Sequence, residues 1–335
     1  LPGENFNALI WSGTGGARDF TGLGFQPGFL WGKARDDTWE HLLIDTVRGS
    51  NHTIYSNSTN AGSTDDSHGY VDSLDSDGWS VVEGSSSANQ WKTGTANSGA
   101  TSGSGTAKTY SSSTDATSGF SVIKYVGNGT SGHQIPHHMG VAPQCLMAKN
   151  LDRGGSTAGS DWHVWHTGFD TQDKYIWLNQ TNPAYGSVNY FNAISSTTFS
   201  LGTDVSINAD GEDIVCYAFT GIDSYSSFGK YEGNGDNDGT FIYTGFKPKY
   251  FLTKNIDQTE SWAVWDGVRE PYNKLSKKLS PNDGGAEYTA NTTTYAIDFV
   301  SNGVKLRTSY SVLNSAHTFI YMAFAESPFK TSNAR

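Results

Sequence analysis

The sequence predicts an all-β protein built as three tandem β-sandwich-like repeats of about 100 residues each. Three observations carry that prediction. Apolar and aromatic runs of strand length recur between clusters of Gly, Asn, Asp, Ser and Thr. No stretch shows a capped apolar stripe at helical spacing. The same blocks return in the same order along the chain. Composition agrees: the 335 residues include 39 Gly, and aromatics reach 13% against 16% charged residues. That mixture suits short strands joined by many turns, and its aromatic content rules out a wholly disordered chain.

Taken in chain order, the blocks are these. A strand-like run ending in a Gly-x-Gly turn occurs at Asn7–Gly15, Ser121–Gly129 and Phe228–Gly235. A Pro-led apolar run closing on a Lys follows at Gly24–Arg35, Gly140–Asn150 and Gly245–Asn255; Pro27, Pro143 and Pro248 are equivalent, as are Lys33, Lys149 and Lys254. Pro is tolerated where it opens a strand. Next come His41–Arg48, Trp162–Phe169 and Trp262–Arg269, then Asn57–Asn60, Asn179–Asn182 and, more loosely, Leu279–Asn282. Leu74–Val81 matches Ile194–Leu201 and Phe299–Leu306. The last block, apolar on both faces, is Asp213–Phe219 in the second copy and Thr318–Phe324 in the third. The reading divides the chain into repeat 1 at 1–93, a Ser/Gly/Thr-rich linker at 94–119, repeat 2 at 120–226 and repeat 3 at 227–335 with a C-terminal tail.

Repeat 1 reads as one strand short. Where the last block should stand, only Gln90–Thr93 remains, polar and brief. A sandwich lacking a strand would expose unpaired backbone and an apolar groove. The linker could cover it, for instance through Ala107–Ser112, or a neighbouring molecule could donate a strand. Phe6, Ala8 and Ile10 of the N-terminal run are the candidate donated side chains, and the tail from Glu326 is the other exchangeable segment. Repeated head to tail, such a contact builds a fibre. On this reading the protein is a non-enzymatic structural subunit of an extracellular filament, and its first partner is itself.

The motifs GFQPGFLWGKAR, IDTVRG, NSTNA, SDGW, YVGNG, GFKPKYFLTKN and the terminal FIYMAFAESPFK resemble a domain of unknown function common in predicted tail-fibre and virion structural proteins of tailed phages of aquatic bacteria. The resemblance covers nearly the whole chain. It implies an extracellular or virion structural role and carries no catalytic residues. Members have an apolar strand before W-K-x-G in the first copy, whereas here Gln90 directly precedes Trp91-Lys92.

Other chemistry was weighed residue by residue. Trp177 and Tyr185 fall in a dense aromatic stretch of repeat 2 and are not explained by the repeat pattern; they are candidate stacking surfaces for a host glycan, the alternative function. Asp236 and Asp238 are weak Ca²⁺ candidates in a D-x-D-G turn. His133, His137, His138, His163 and His166 cluster in repeat 2, but strand spacing turns His163 and His166 to opposite faces, which argues against zinc. Asp45 with Arg48 and Asp266 with Arg269 read as strand-end ion pairs. Cys145 and Cys216 fall at core positions and could bridge only if their strands are neighbours. Sequons stand at Asn51, Asn57, Asn128, Asn179 and Asn291. No nucleophile elbow, H-E-x-x-H pair or phosphate loop is present, so the expectation is no enzyme and no cofactor; a glycan-cleaving enzyme is the distant alternative. A formal charge of −11 without basic clusters argues against nucleic acid, and no apolar run suits membrane insertion. The chain opens at Leu1 without a signal peptide, as a processed or partial product would.

Overall fold

Strands that are apolar on both faces must lie between two layers, and that requirement organises the whole molecule. The fold comes from a computed structural model, which describes residues 5–64, 70–82, 87–92, 94–288 and 293–327. It is nearly all antiparallel β, interrupted among the described residues only by the one-turn helices Val205–Asn208 and Ser311–Asn314.

Three large sheets form the interior. The first runs, edge to edge, Phe6–Leu9, Ser87–Lys92, Pro27–Lys33, Leu42–Asp45 and Gly49–Tyr55. In the second, Phe120–Val126, Asp213–Phe219, Cys145–Asn150 and His163–His166 follow one another in that order; in the third the order is Ser226–Glu232, Thr318–Ala325, Pro248–Asn255 and Ala263–Asp266. The four shared strands of each sheet are connected identically. Outside each lies a small sheet: Arg18–Thr21, Gly78–Val81 and Val71–Asp75 in the first, a four-stranded sheet with Phe191–Ile194 at one edge in the second, and Phe241–Tyr243, Gly303–Leu306 and Ile297–Val300 in the third. One face of each large sheet packs on its outer sheet; Leu30, Ile44, Phe20 and Trp79 form that layer in the first. The other faces of the large sheets meet in a shared core.

At the centre of that core three rings touch. The centroid of Trp91 is 6.3 Å from Phe219 and 5.7 Å from Phe324, and Phe219 is 6.3 Å from Phe324. Each stands at the same register, opposite Phe29, Cys145 and Tyr250 respectively. All three are buried, each stabilising the core by about 2–3 kcal/mol of hydrophobic transfer.

Trp91 also corrects the expectation of a missing strand. Ser87–Lys92 is that strand, pairing Phe6–Leu9 on one side and Pro27–Lys33 on the other. Gln90 is fully buried at the register held by Ala218 and Ala323 in the other sheets. Polar letters hid it, because a strand is defined by its backbone pairing rather than by the polarity of its side chains. The candidate donor strand is likewise used at home. Phe6 pairs with Trp91 in register and is buried with Ala8, while Ile10 lies past the strand end and is exposed.

The expected linker is a second correction. Residues 94–119 fold: Thr95–Ala100 pairs Thr109–Asp115, which pairs Phe120–Val126, so the segment widens the second sheet. Thr, Ser and Tyr in that stretch suit a half-exposed pleat as well as a flexible tether. Cys145 and Cys216 are on adjacent strands, but the register sets Cys145 opposite Phe219 and Cys216 opposite Ala148, and both thiols are free and buried.

The sheets are tied to one another by recurring polar contacts. Trp162 donates its Nε1–H to the carbonyl of Tyr55 (2.9 Å), and Trp262 donates to the carbonyl of Trp177 (2.9 Å). Lys149 and Lys254 send their amines to the carbonyls of Thr59 and Thr181 as well as to their own strands' turns. Burial holds these amines low, at about 8 and about 7. Asn57, Asn179 and Asn282 accept from the backbone N–H of His41, Trp162 and Trp262, so Asn282 is the true counterpart of the two sequon asparagines.

Candidate functional site

Five rings gather at the free end of the second large sheet. There the strands Lys174–Trp177 and Tyr185–Gly186 extend past His163–His166. Tyr175 is opposite Tyr185 in register and His163 is opposite Trp177, so alternation puts all four on one face. Tyr190, just before the last strand of the outer sheet, stacks on His163 at 4.5 Å and lies 4.0 Å from Tyr175. Tyr185 lies beyond that cover. It contacts Trp177 at 5.1 Å and is 43% exposed, and Trp177 is half-buried.

The shelf is braced from below. His163 Nε2 accepts from Trp177 Nε1–H at 3.0 Å, and His163 Nδ1 faces the carbonyl of Asp161 at 3.2 Å. Burial lowers the imidazole to about 4, so it is neutral and keeps the lone pair that holds the indole. Burial also raises the Tyr190 phenol, with Asp204 adding to the effect, so its proton stays on. The backbone is pinned beside the third large sheet through Ala184 N–H to the carbonyl of Ile256 (2.8 Å) and through the Trp262 contact to Trp177. Asp161 is fixed by Asn179 Nδ2 and Gln180 Nε2, both at 2.7 Å. The arrangement offers a braced aromatic surface suited to stacking. The rings other than Trp177 and Tyr185 were visible in the sequence only as aromatic density, because no local signal says which sheet face will be left uncovered.

The remaining candidates are placed as follows. Asp238 faces the Lys305 amine at 2.7 Å, and Asp236 caps the turn by accepting from the Asp238 N–H. Asn314, fully buried, ties that loop together by donating to the Asp236 carbonyl and to Asn234 Oδ1; Asn208 does the same work beneath Asn128. Neither asparagine stood out in the sequence. Among the described residues no three His, Cys, Asp or Glu converge as metal ligands. His133 lies in the strand His133–Pro136, held between Asn208 and Thr101. His166 points the opposite way from His163, to the carbonyl of Tyr321 in the third sheet. The ion pairs Asp45–Arg48 and Asp266–Arg269 are buried rather than on the surface, the second joined by Glu287. Of the sequons, Asn57, Asn128 and Asn179 spend their amide N–H groups on internal partners. Asn51 is exposed, and Asn291 lies outside the described residues. No helix among the described residues is long and apolar enough to cross a membrane.

A two-layer β architecture, closed on a shared core and carrying an aromatic shelf, defines the class of protein. The chain belongs to the family described as Domain of unknown function (DUF7483), whose model matches residues 1–328. No curated protein and no solved structure matches it.

Proposed function

We propose that the chain is a triplicated, non-enzymatic binding module displayed outside the cell on a fibre or virion, and that it grips surface glycans on the Tyr185–Trp177 shelf. The observation that carries this reading is exposed Tyr185 against half-buried Trp177, the pair locked in place by His163 and by a contact from Trp262 to the Trp177 carbonyl. Preorganised aromatic faces bind sugars without the entropy of ordering side chains. Triplication is supported by the identical order of four strands in each large sheet and by the matched register of Trp91, Phe219 and Phe324. The place for which a donated strand was expected is held by Ser87–Lys92, paired on both sides, which weighs against strand exchange there.

The test is a glycan array probed with the wild type and with Tyr185→Ala and Trp177→Ala. Binding lost in both variants, at unchanged thermal stability for Tyr185→Ala, supports the reading. An array silent for the wild type, or binding that survives both substitutions, overturns it.

A further inference from the structure

We propose that the carboxamide of Asn7 and the amine of Lys249 join in an intramolecular isopeptide bond that closes the three units covalently. Lys249 Nζ donates to Asn7 Oδ1 at 2.8 Å across 242 residues of sequence. The same oxygen accepts the Ala8 N–H at 2.9 Å. The Ala8 N–H on Oδ1 draws electron density from Cγ and stands where a tetrahedral intermediate would place its negative charge, while Lys249 Nζ is the nucleophile already in contact with the carboxamide. Among the described residues no acceptor holds the Asn7 Nδ2, the group that must depart.

The fold explains why this pair is brought together. Lys249 is the extra residue of the bulge between Pro248 and Tyr250, and a bulge re-aims a side chain out of strand alternation. In the second unit Gln144 holds the corresponding place before Cys145, and its Oε1 accepts from the N–H of Gly221, at the start of the segment leading into the third unit. In the first unit that place is Gly28, between Pro27 and Phe29, which has no side chain to offer; in the second and third the position ties one unit to the beginning of another. Between the second and third units the chain itself is continuous. Between the third and the first only non-covalent contacts close the seam, including Tyr225 Oη to the carbonyl of Asn5 at 3.2 Å.

The surroundings suit the chemistry. Lys249 is largely buried, and burial favours its neutral, nucleophilic form, opposed by Asp266 and Glu326. Asp266 and Glu326 are themselves paired with Arg269 and Lys247, so the proton passes to water at this partly exposed amine. The lysine ammonium gives up a proton, its lone pair attacks Asn7 Cγ, and the Cγ–Nδ2 bond breaks. Nδ2 takes up a proton and leaves as ammonia. One C–N bond forms, one breaks, and nothing is oxidised or reduced.

The test is the intact mass of the purified full chain, followed by peptide mapping. The expected mass is about 17 Da below that of the sequence, the loss of one ammonia. A peptide containing Asn7 should be linked to one containing Lys249. Lys249→Arg should return to its own sequence mass. A wild type at full sequence mass, unchanged after prolonged incubation in mildly alkaline buffer, overturns the proposal. So does a loss that maps to a succinimide elsewhere or persists in Lys249→Arg.

Discussion

Acid should open this molecule through three histidines. His41, His163 and His166 are buried, and burial lowers them from 6.5 to about 3, about 4 and about 4. In each, the nitrogen that would take the proton already accepts a hydrogen bond: His41 Nδ1 from Trp31 Nε1–H, His163 Nε2 from Trp177 Nε1–H, His166 Nδ1 from the Gly168 N–H. Protonation sets donor against donor. The folded values lie below the unfolded one, so the unfolded chain binds more protons as pH falls below about 6.5, and stability is full above that value and declines beneath it. One site moved from 6.5 to about 4 contributes a loss of roughly 2–3 kcal/mol by pH 4.5, and the three together several kcal/mol. That is comparable with the whole stability of an ordinary domain. His166 joins the second sheet to the third, since its Nε2–H reaches the carbonyl of Tyr321 at 3.0 Å. Urea unfolding at pH 7.5, 5.5 and 4.5, for the wild type and for His166→Gln, measures the effect. Gln can retain the donor to Tyr321 but cannot charge, so the variant's acid loss should be smaller by roughly 2–3 kcal/mol. Parallel pH profiles for the two proteins would refute the assignment.

Trp91→Ala should cost about 3–5 kcal/mol by opening a cavity where three sheets meet, seen as a lower urea midpoint. Arg269→Met should destabilise by about 3–5 kcal/mol, because it strands the buried carboxylate of Asp266, while Glu287 keeps its pair with Arg35. Arg153→Met, at the more exposed Glu212 pair, should change stability by less than about 1 kcal/mol in the same assay. Reducing agent should leave the melting temperature unchanged, since Cys145 and Cys216 are free, and a thiol reagent should label them only on unfolding.

Local patterns carried much of the fold. Strand-length runs, Gly-rich turns and Pro-led blocks identified most of the interior strands, since turn and strand chemistry is written in neighbouring residues. Ser87–Lys92 escaped because its place depends on pairing with Phe6–Leu9 and Pro27–Lys33, which no local pattern records. The segment 94–119 escaped for the same reason: its Ser and Thr became strands only because Phe120–Val126 offered an edge. The aromatic shelf was half legible. Trp177 and Tyr185 stood out, but His163, Tyr175 and Tyr190 joined them through register and through the reach of the outer sheet.

The sequence by itself determined the all-β class, the block order and the turn positions, because each depends on side chains a few residues apart. Only tertiary structure decided that three sheets share one core, that the first is sealed by its own chain, and that Asn7 meets Lys249. Those outcomes depend on which distant backbones pair and which faces they bury, and water exclusion at long range leaves no mark in the local pattern.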